Sequence, residues 1–220
     1  YEAFTPEELR DGWRLSCRAR VEGDLVVQVR QWDTLVLYDN TPVAFDPQEG
    51  LGIAVDIGTT TVVAQLLDLA TGQVRAVRAG LNPQARWGAD VISRMEHAMA
   101  SEAAALREAI NQGLSEMVLA LFESTGLPWS QLRKIAVVGN TVMQHLMLAF
   151  PLEQLAMAPH VPYTMEEQTR STAELGWHLP VDVPLRFLPN LGGFVGSDIL
   201  GVILATRILE SDVLVASADL

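Results

Sequence analysis

The stretch LGIAVDIGTTTVVAQLL, Leu51 to Leu67, ends an apolar run in an acidic residue, turns through Gly58-Thr59-Thr60, and enters a second apolar run. Both runs alternate well enough to pair, so the segment predicts a hairpin with a polar tip. Asp56 offers a carboxylate for a hydrated Mg²⁺. Gly58 lets the backbone approach a ligand, and the amides and hydroxyls of Thr59 and Thr60 can donate to phosphate oxygens. A tight turn alone would also use Asp, Gly and Thr. Four successive small or polar residues are more than such a turn needs, however, and Thr59 to Thr61 are β-branched residues that tolerate positive φ poorly. Direct contact with a ligand explains them better.

The chain has 220 residues, 49% hydrophobic and 19% charged, enough for one large core or two modest ones. Its formal charge of −12, with 15 scattered Lys and Arg, opposes nucleic-acid binding, which needs a basic stripe. No apolar run reaches the roughly 18 to 20 residues that span a bilayer, and no basic flank followed by an apolar core opens the chain. A cytoplasmic protein without a membrane partner is expected. The single cysteine, Cys17, forbids an internal disulfide and fits a reducing compartment. A start at Tyr1 and a stop inside an apolar run at Leu220 suggest that both ends are cut.

Thr5 to Leu9 reads as a short capped helix and Gly12 to Val29 as a small hairpin unit, with Glu22-Gly23-Asp24 at its turn. Residues 31–50 carry no clear period and read as a linker. Three strands then form a meander, Leu51 to Ile57, Thr61 to Leu69 and Gln73 to Ala79. Helices are predicted over Asp90 to Met99 and Ser101 to Thr125. The second sets Leu106, Ile110, Leu114, Met117, Val118 and Leu121 on one face and ends at Gly126. Lys134 to Val138 is a short apolar strand. Gly139-Asn140-Thr141 opens another helix, stopped by Pro151; these three residues face a ligand or simply cap the helix. Leu152 to Pro184 is Pro-rich and polar, expected to be irregular and superficial, with Leu185 to Leu188 as a further strand. In Asn190 to Thr206, Gly192, Gly193 and Gly196 allow backbone close to a ligand. Asp198 is either an ordinary N-cap or a carboxylate facing a phosphate cleft.

Three antiparallel strands, helix, parallel strand and helix predict an α/β fold: the ribonuclease H-like half of an actin-like ATPase. Residues 51–189 would form that first subdomain, and 190–220 the truncated start of the C-terminal ATPase region. Four blocks make the likeness specific: VDIGTTTVVAQLLDLATG, LNPQARWGADVISR (Leu81 to Arg94), VGNTVMQHL (Val138 to Leu146) and GFVGSDI. Together they resemble the ATP-dependent reductive activators of corrinoid proteins, within the acetate and sugar kinase, Hsp70 and actin superfamily. GWRLSCRARVEGDLVVQV, Gly12 to Val29, is similar to the close of a [2Fe-2S] ferredoxin β-grasp domain, so residues 1–30 would be its C-terminal remnant. Cys17 would be a cluster ligand, where composition alone suggests a small buried hydrophobe.

The resemblance implies an iron-sulfur protein that takes an electron from a donor and returns an oxidised corrinoid partner from cobalt(II) to cobalt(I) for methyl transfer, driven by ATP. By carry-over, Asp56 would position Mg²⁺, Gly58, Thr59, Thr60 and Thr61 would hold phosphates, Gly139, Asn140 and Thr141 would line the cleft, and Asp198 would lie near the attacking water. A [2Fe-2S] cluster needs four thiolates and this chain holds one. The upstream C-x-x-x-x-C-x-x-C and a second D-x-G phosphate loop are not in it, and the linker is short for the family. Two other readings stay open: a small-molecule kinase of the same superfamily using Asp198 as base, and a non-catalytic nucleotide-binding scaffold. The four histidines have no metal-ligand spacing.

Overall fold

Alternation along the first hairpin dictates a two-faced sheet. In β1 (Leu51–Ile57), Ile53, Val55 and Ile57 are buried while Ala54 and Asp56 are exposed. β2 (Thr61–Asp68) answers in register, with Val62, Ala64 and Leu66 buried opposite Ile57, Val55 and Ile53. The computed structural model describes Arg10 and residues 45–206 and 208–210. The chain divides into Tyr1–Leu35 and Val36–Leu220, and the architecture below is that of the second unit. The expected ferredoxin-like remnant apart from Arg10, its Cys17 and most of the expected linker lie outside the described residues.

β3 (Val74–Leu81) continues the meander antiparallel to β2. β4 (Leu132–Gly139) returns on the other side of β1 and runs parallel to it, Ile53 beside Ile135 and Ile57 beside Gly139. β5 (Gln168–Ser171) and β6 (Pro184–Phe187) complete a mixed six-stranded sheet in the order β3-β2-β1-β4-β6-β5, β6 parallel to β4 and β5 antiparallel to β6. Ile135, Val137, Leu185 and Phe187 extend the core face across the strands.

Helices cover that face. α1 (Val91–His97) is capped by Asp90, whose Oδ1 accepts from the Ser93 amide at 2.9 Å. Where the sequence suggests two separate helices, a π-helical segment, Ala98–Glu102, carries α1 directly into α2 (Ala103–Thr125). α2 buries Leu106, Ile110, Leu114, Val118 and Leu121, each worth about 1.5 to 3 kcal/mol of hydrophobic burial, and stops at Gly126 with φ 64. The expected core residue Met117 is only half-buried, and Phe122 takes a buried place stacked on Trp129 at 3.9 Å between ring centroids. α3 (Thr141–Leu148) is buried on all sides. Its stop is Ala149 at φ 58, two residues before Pro151.

The segment from Leu152 to Pro184 corrects the expectation of an irregular surface loop. It contains α4 (Glu153–Ala156) and the edge strand β5, and it buries Leu155, Leu175, Trp177 and Val183. Trp177 donates from Nε1 to Asn111 Oδ1 on α2 at 2.9 Å. β5, reading QTRS, shows no apolar alternation because it pairs with one neighbour at the sheet edge and buries neither face.

α5 (Ser197–Thr206) lies against the opposite face of the sheet, where Gly201 approaches Val138. Val138 neighbours Asp56 in the β1–β4 register, so Asp56 and α5 belong to the same side of the sheet. No helix among the described residues is long and apolar enough to cross a membrane.

Candidate functional site

The turn between β1 and β2 is closed by the Gly58 amide donating to the Thr61 carbonyl at 3.0 Å, and a Cβ on Gly58 would lie 2.6 Å from that oxygen. Glycine is thus demanded by closure of the turn itself. Three successive carbonyls are held from behind by the block Leu81 to Arg94. Asn82 Nδ2 donates to Gly58 O at 2.8 Å, Arg94 Nη2 to Thr59 O at 2.6 Å, and the Asn82 amide to Thr60 O at 2.8 Å. In a planar trans peptide N–H and C=O point oppositely, so the amides of Thr59 and Thr60 are directed away from Asn82 and Arg94. Thr60 is exposed, and Gly58 and Thr59 are half-buried.

Asn82 and Arg94, to which the sequence motifs assign no role, are the residues that hold this turn. Asn82 is buried, and its Oδ1 also caps the 3₁₀ turn Pro83–Trp87 by accepting from the Gln84 amide at 2.9 Å. Arg94 is fully buried, and Nε donates to Gly88 O at 2.9 Å. Burial pushes its guanidinium below its ordinary pKa, while the charge on Asp90 works in the other direction; an arginine remains protonated all the same. The available signal is an asparagine before proline and an arginine thirty-five residues from Thr59, which spacing alone does not connect.

At the β4–α3 junction Asn140 is the helix cap and also reaches the first turn. Its Oδ1 caps α3 by accepting from the Met143 amide at 3.0 Å, while its Nδ2 donates to Thr59 Oγ1 at 3.1 Å across to the first turn. Gly139 lies beside Ile57, whose carbonyl would stand 2.8 Å from an added Cβ. Thr141 is fully buried and donates its hydroxyl to Gly192 O at 2.8 Å, tying α3 to the third loop.

That third loop folds on itself, with the amides of Leu191 and Gly192 donating to Val195 O at 3.0 and 2.9 Å. An added Cβ on Gly193 would collide with the His160 carbonyl, and one on Gly196 with Gly139 O and the Asn140 Cα. Both glycines are therefore needed for contact with protein backbone. Ser197 Oγ lies 3.3 Å from both N and O of Gly139. α5 begins at Ser197, so Asp198 stands inside the first turn rather than at the N-cap; its Oδ1 accepts from the Ile199 amide at 2.8 Å. The three loops meet at the C-terminal ends of the parallel strands β1 and β4, where ligands of open α/β sheets bind.

His145, fully buried beneath this junction, contacts Thr141 O through Nδ1 at 2.8 Å and accepts the Tyr163 amide on Nε2 at 3.0 Å. The amide can only donate, so Nδ1 carries the proton and the ring is neutral. Burial pushes its pKa below the ordinary value. Among the described residues no group of three His, Cys, Asp or Glu could hold a metal. A single carboxylate, such as that of Asp56 at the end of β1, could serve Mg²⁺ only with further ligands from phosphate and water.

A family model described as the RACo middle region matches residues 51–211. The chain belongs to the RACo middle region family. The corrinoid activation enzyme RamQ of Eubacterium limosum is 32% identical over 157 residues, covering 70% of this chain and 26% of RamQ. A solved structure of a reductive activator for corrinoid, iron-sulfur protein matches with a TM-score of 0.70 at 32% identity, covering 76% of this chain and 27% of that one. The mixed α/β sheet thus matches that solved structure, and the chain spans about a quarter of the length of these relatives.

Proposed function

We propose that this chain is the nucleotide-binding portion of an ATP-dependent activator that returns a corrinoid protein from cobalt(II) to cobalt(I). Convergence of three loops on the ends of β1 and β4 carries the reading: Asn140 joins Thr59, the fourth residue of DIGTT, to α3, and Thr141 joins α3 to the Gly192 loop. Five strands in the order β3-β2-β1-β4-β6, with β2 alone reversed, support the ribonuclease H-like half of an actin-like ATPase.

In this reading Gly58 to Thr61 receive phosphate oxygens on the outward amides and on the Thr59 and Thr60 hydroxyls. Asp56 holds Mg²⁺, which supplies charge neutralisation on the phosphates. Asn140 fixes the Thr59 hydroxyl, and Asp198, on the same side of the sheet as Asp56, orients water. Gly139, Thr141, Gly192, Gly193 and Gly196 set the spacing of the cleft wall. Cys17 would be one thiolate holding a [2Fe-2S] cluster, which would supply one-electron redox chemistry. Coupling of ATP to reduction requires that nucleotide state change the affinity for the corrinoid partner. The test is anaerobic reduction of a cobalt(II) corrinoid protein by the intact protein and a chemical electron donor, followed by absorbance. Cobalt(I) should accumulate only with Mg-ATP. Equal reduction without nucleotide would remove ATP from the function.

A further inference from the structure

Arg94 presents a full positive charge in the protein interior and hydrogen-bonds only neutral groups; the exposed carboxylate of Asp90, the N-cap of α1, acts on it from beyond ion-pair distance. Its donors reach Gly88 O at 2.9 Å, Thr59 O at 2.6 Å and, weakly, the Met143 sulfur at 3.8 Å. Among the described residues no carboxylate lies within ion-pair distance of it, the one such pair being Arg186 with Glu167 on the surface. An unpaired buried charge opposes folding unless something offsets it. Two carbonyls suffice to anchor a side chain, and a neutral donor would have met them at lower cost. What distinguishes arginine here is the charge, and its place is directly behind the turn whose amides face outward.

We infer that Arg94 is the buried counter-charge and positioning residue for polyphosphate at the Gly58–Thr61 turn, the anion supplying the close negative partner that no carboxylate among the described residues provides. The inference rests on the reading of that turn as a phosphate site. Arg94 touches no ligand. It acts through the Thr59–Thr60 peptide: by binding the Thr59 carbonyl it holds the Thr60 amide outward, and its charge polarises that peptide so that the amide donates more strongly. A positive charge roughly one peptide behind a bound phosphate attracts it across low-dielectric protein with little screening by salt.

Calorimetric titration of the intact protein with Mg-ATP and with pyrophosphate, beside thermal melting, tests this. Arg94→Gln keeps a donor for the Thr59 carbonyl and removes the charge; Arg94→Lys keeps the charge and gives up the planar fork. The Gln variant should bind both ligands roughly 10- to 100-fold more weakly, and Lys should recover most of that affinity at a similar melting temperature. If Gln does not fold, Arg94→Met, which fills a similar volume, is read the same way. A wild type that binds both ligands, with neutral variants binding as tightly or Lys binding as weakly as Gln, overturns the inference and leaves the phosphate site standing. A wild type that binds neither overturns the phosphate site and this inference with it.

Discussion

The first turn and the third loop look alike as sequence, each a glycine beside small polar residues between apolar runs, yet they are built for opposite purposes. At Gly58 to Thr61 the carbonyls are tied back to Asn82 and Arg94, so the peptide amides turn outward. At Gly193 and Gly196 the space a side chain would occupy is taken by the backbone of His160, Gly139 and Asn140. A glycine in a motif announces close approach; at Gly58, as at Gly193 and Gly196, it is protein backbone that approaches, and what sets the first turn apart is the direction of its amides.

The contrast is open to direct attack. Its largest expected consequence lies at the first turn: Asp56→Ala should lower ATP turnover of the intact protein by about 10² to 10³ with little change in melting temperature. Unchanged turnover would leave the turn without its metal role. At the third loop the loss should appear as stability. Gly196→Ala forces a Cβ into the Gly139 carbonyl and should cost about 1 to 3 kcal/mol in denaturant unfolding, whereas exposed Thr60→Ala should stay within about 0.5 kcal/mol while weakening Mg-ATP binding. Reversal of those two stabilities would break the comparison.

Asn140 lies on both sides of it and can be divided. Asn140→Asp keeps a capping oxygen for the Met143 amide but loses the donor to Thr59 Oγ1, so unfolding should change by no more than about 0.5 kcal/mol while nucleotide affinity falls several-fold. A variant with normal affinity would reduce Asn140 to a cap. The smallest effect concerns pH. His145 has its folded pKa depressed below the ordinary 6.5, so unfolding free energy should be flat with respect to this group above about pH 6.5. It should decline as pH falls through the window below, by at most about 1.4 kcal/mol per unit, because there the unfolded chain binds the proton that the buried ring refuses. His145→Gln should remove that component of the slope measured by urea titration.

Much of the fold was legible because periodicity reports burial. Alternation located β1 to β4 within about two residues, and the four-residue spacing of Leu106, Ile110 and Leu114 located α2. The reading lost accuracy where burial is one-sided or borrowed. β5 has no pattern because it is an edge, and Trp177 is inside because Asn111, sixty-six residues away, offers an acceptor. The π-helical join of α1 and α2 had no pattern to betray it either, since the break in hydrophobic period there looks the same as a chain break.

For the site, the sequence by itself determined the chemistry at hand: one carboxylate at a strand end, a glycine turn, donors on Thr59 and Thr60, and a capping asparagine. Those follow from local backbone requirements that residue types satisfy within a few positions. The tertiary structure decided which groups support which. Arg94 backs Thr59 across thirty-five positions, Asn140 meets the same residue across eighty-one, and Thr141 reaches Gly192 across fifty-one. Hydrogen bonds over such separations depend on how the sheet register and helix packing fold the chain back, and no local periodicity encodes that.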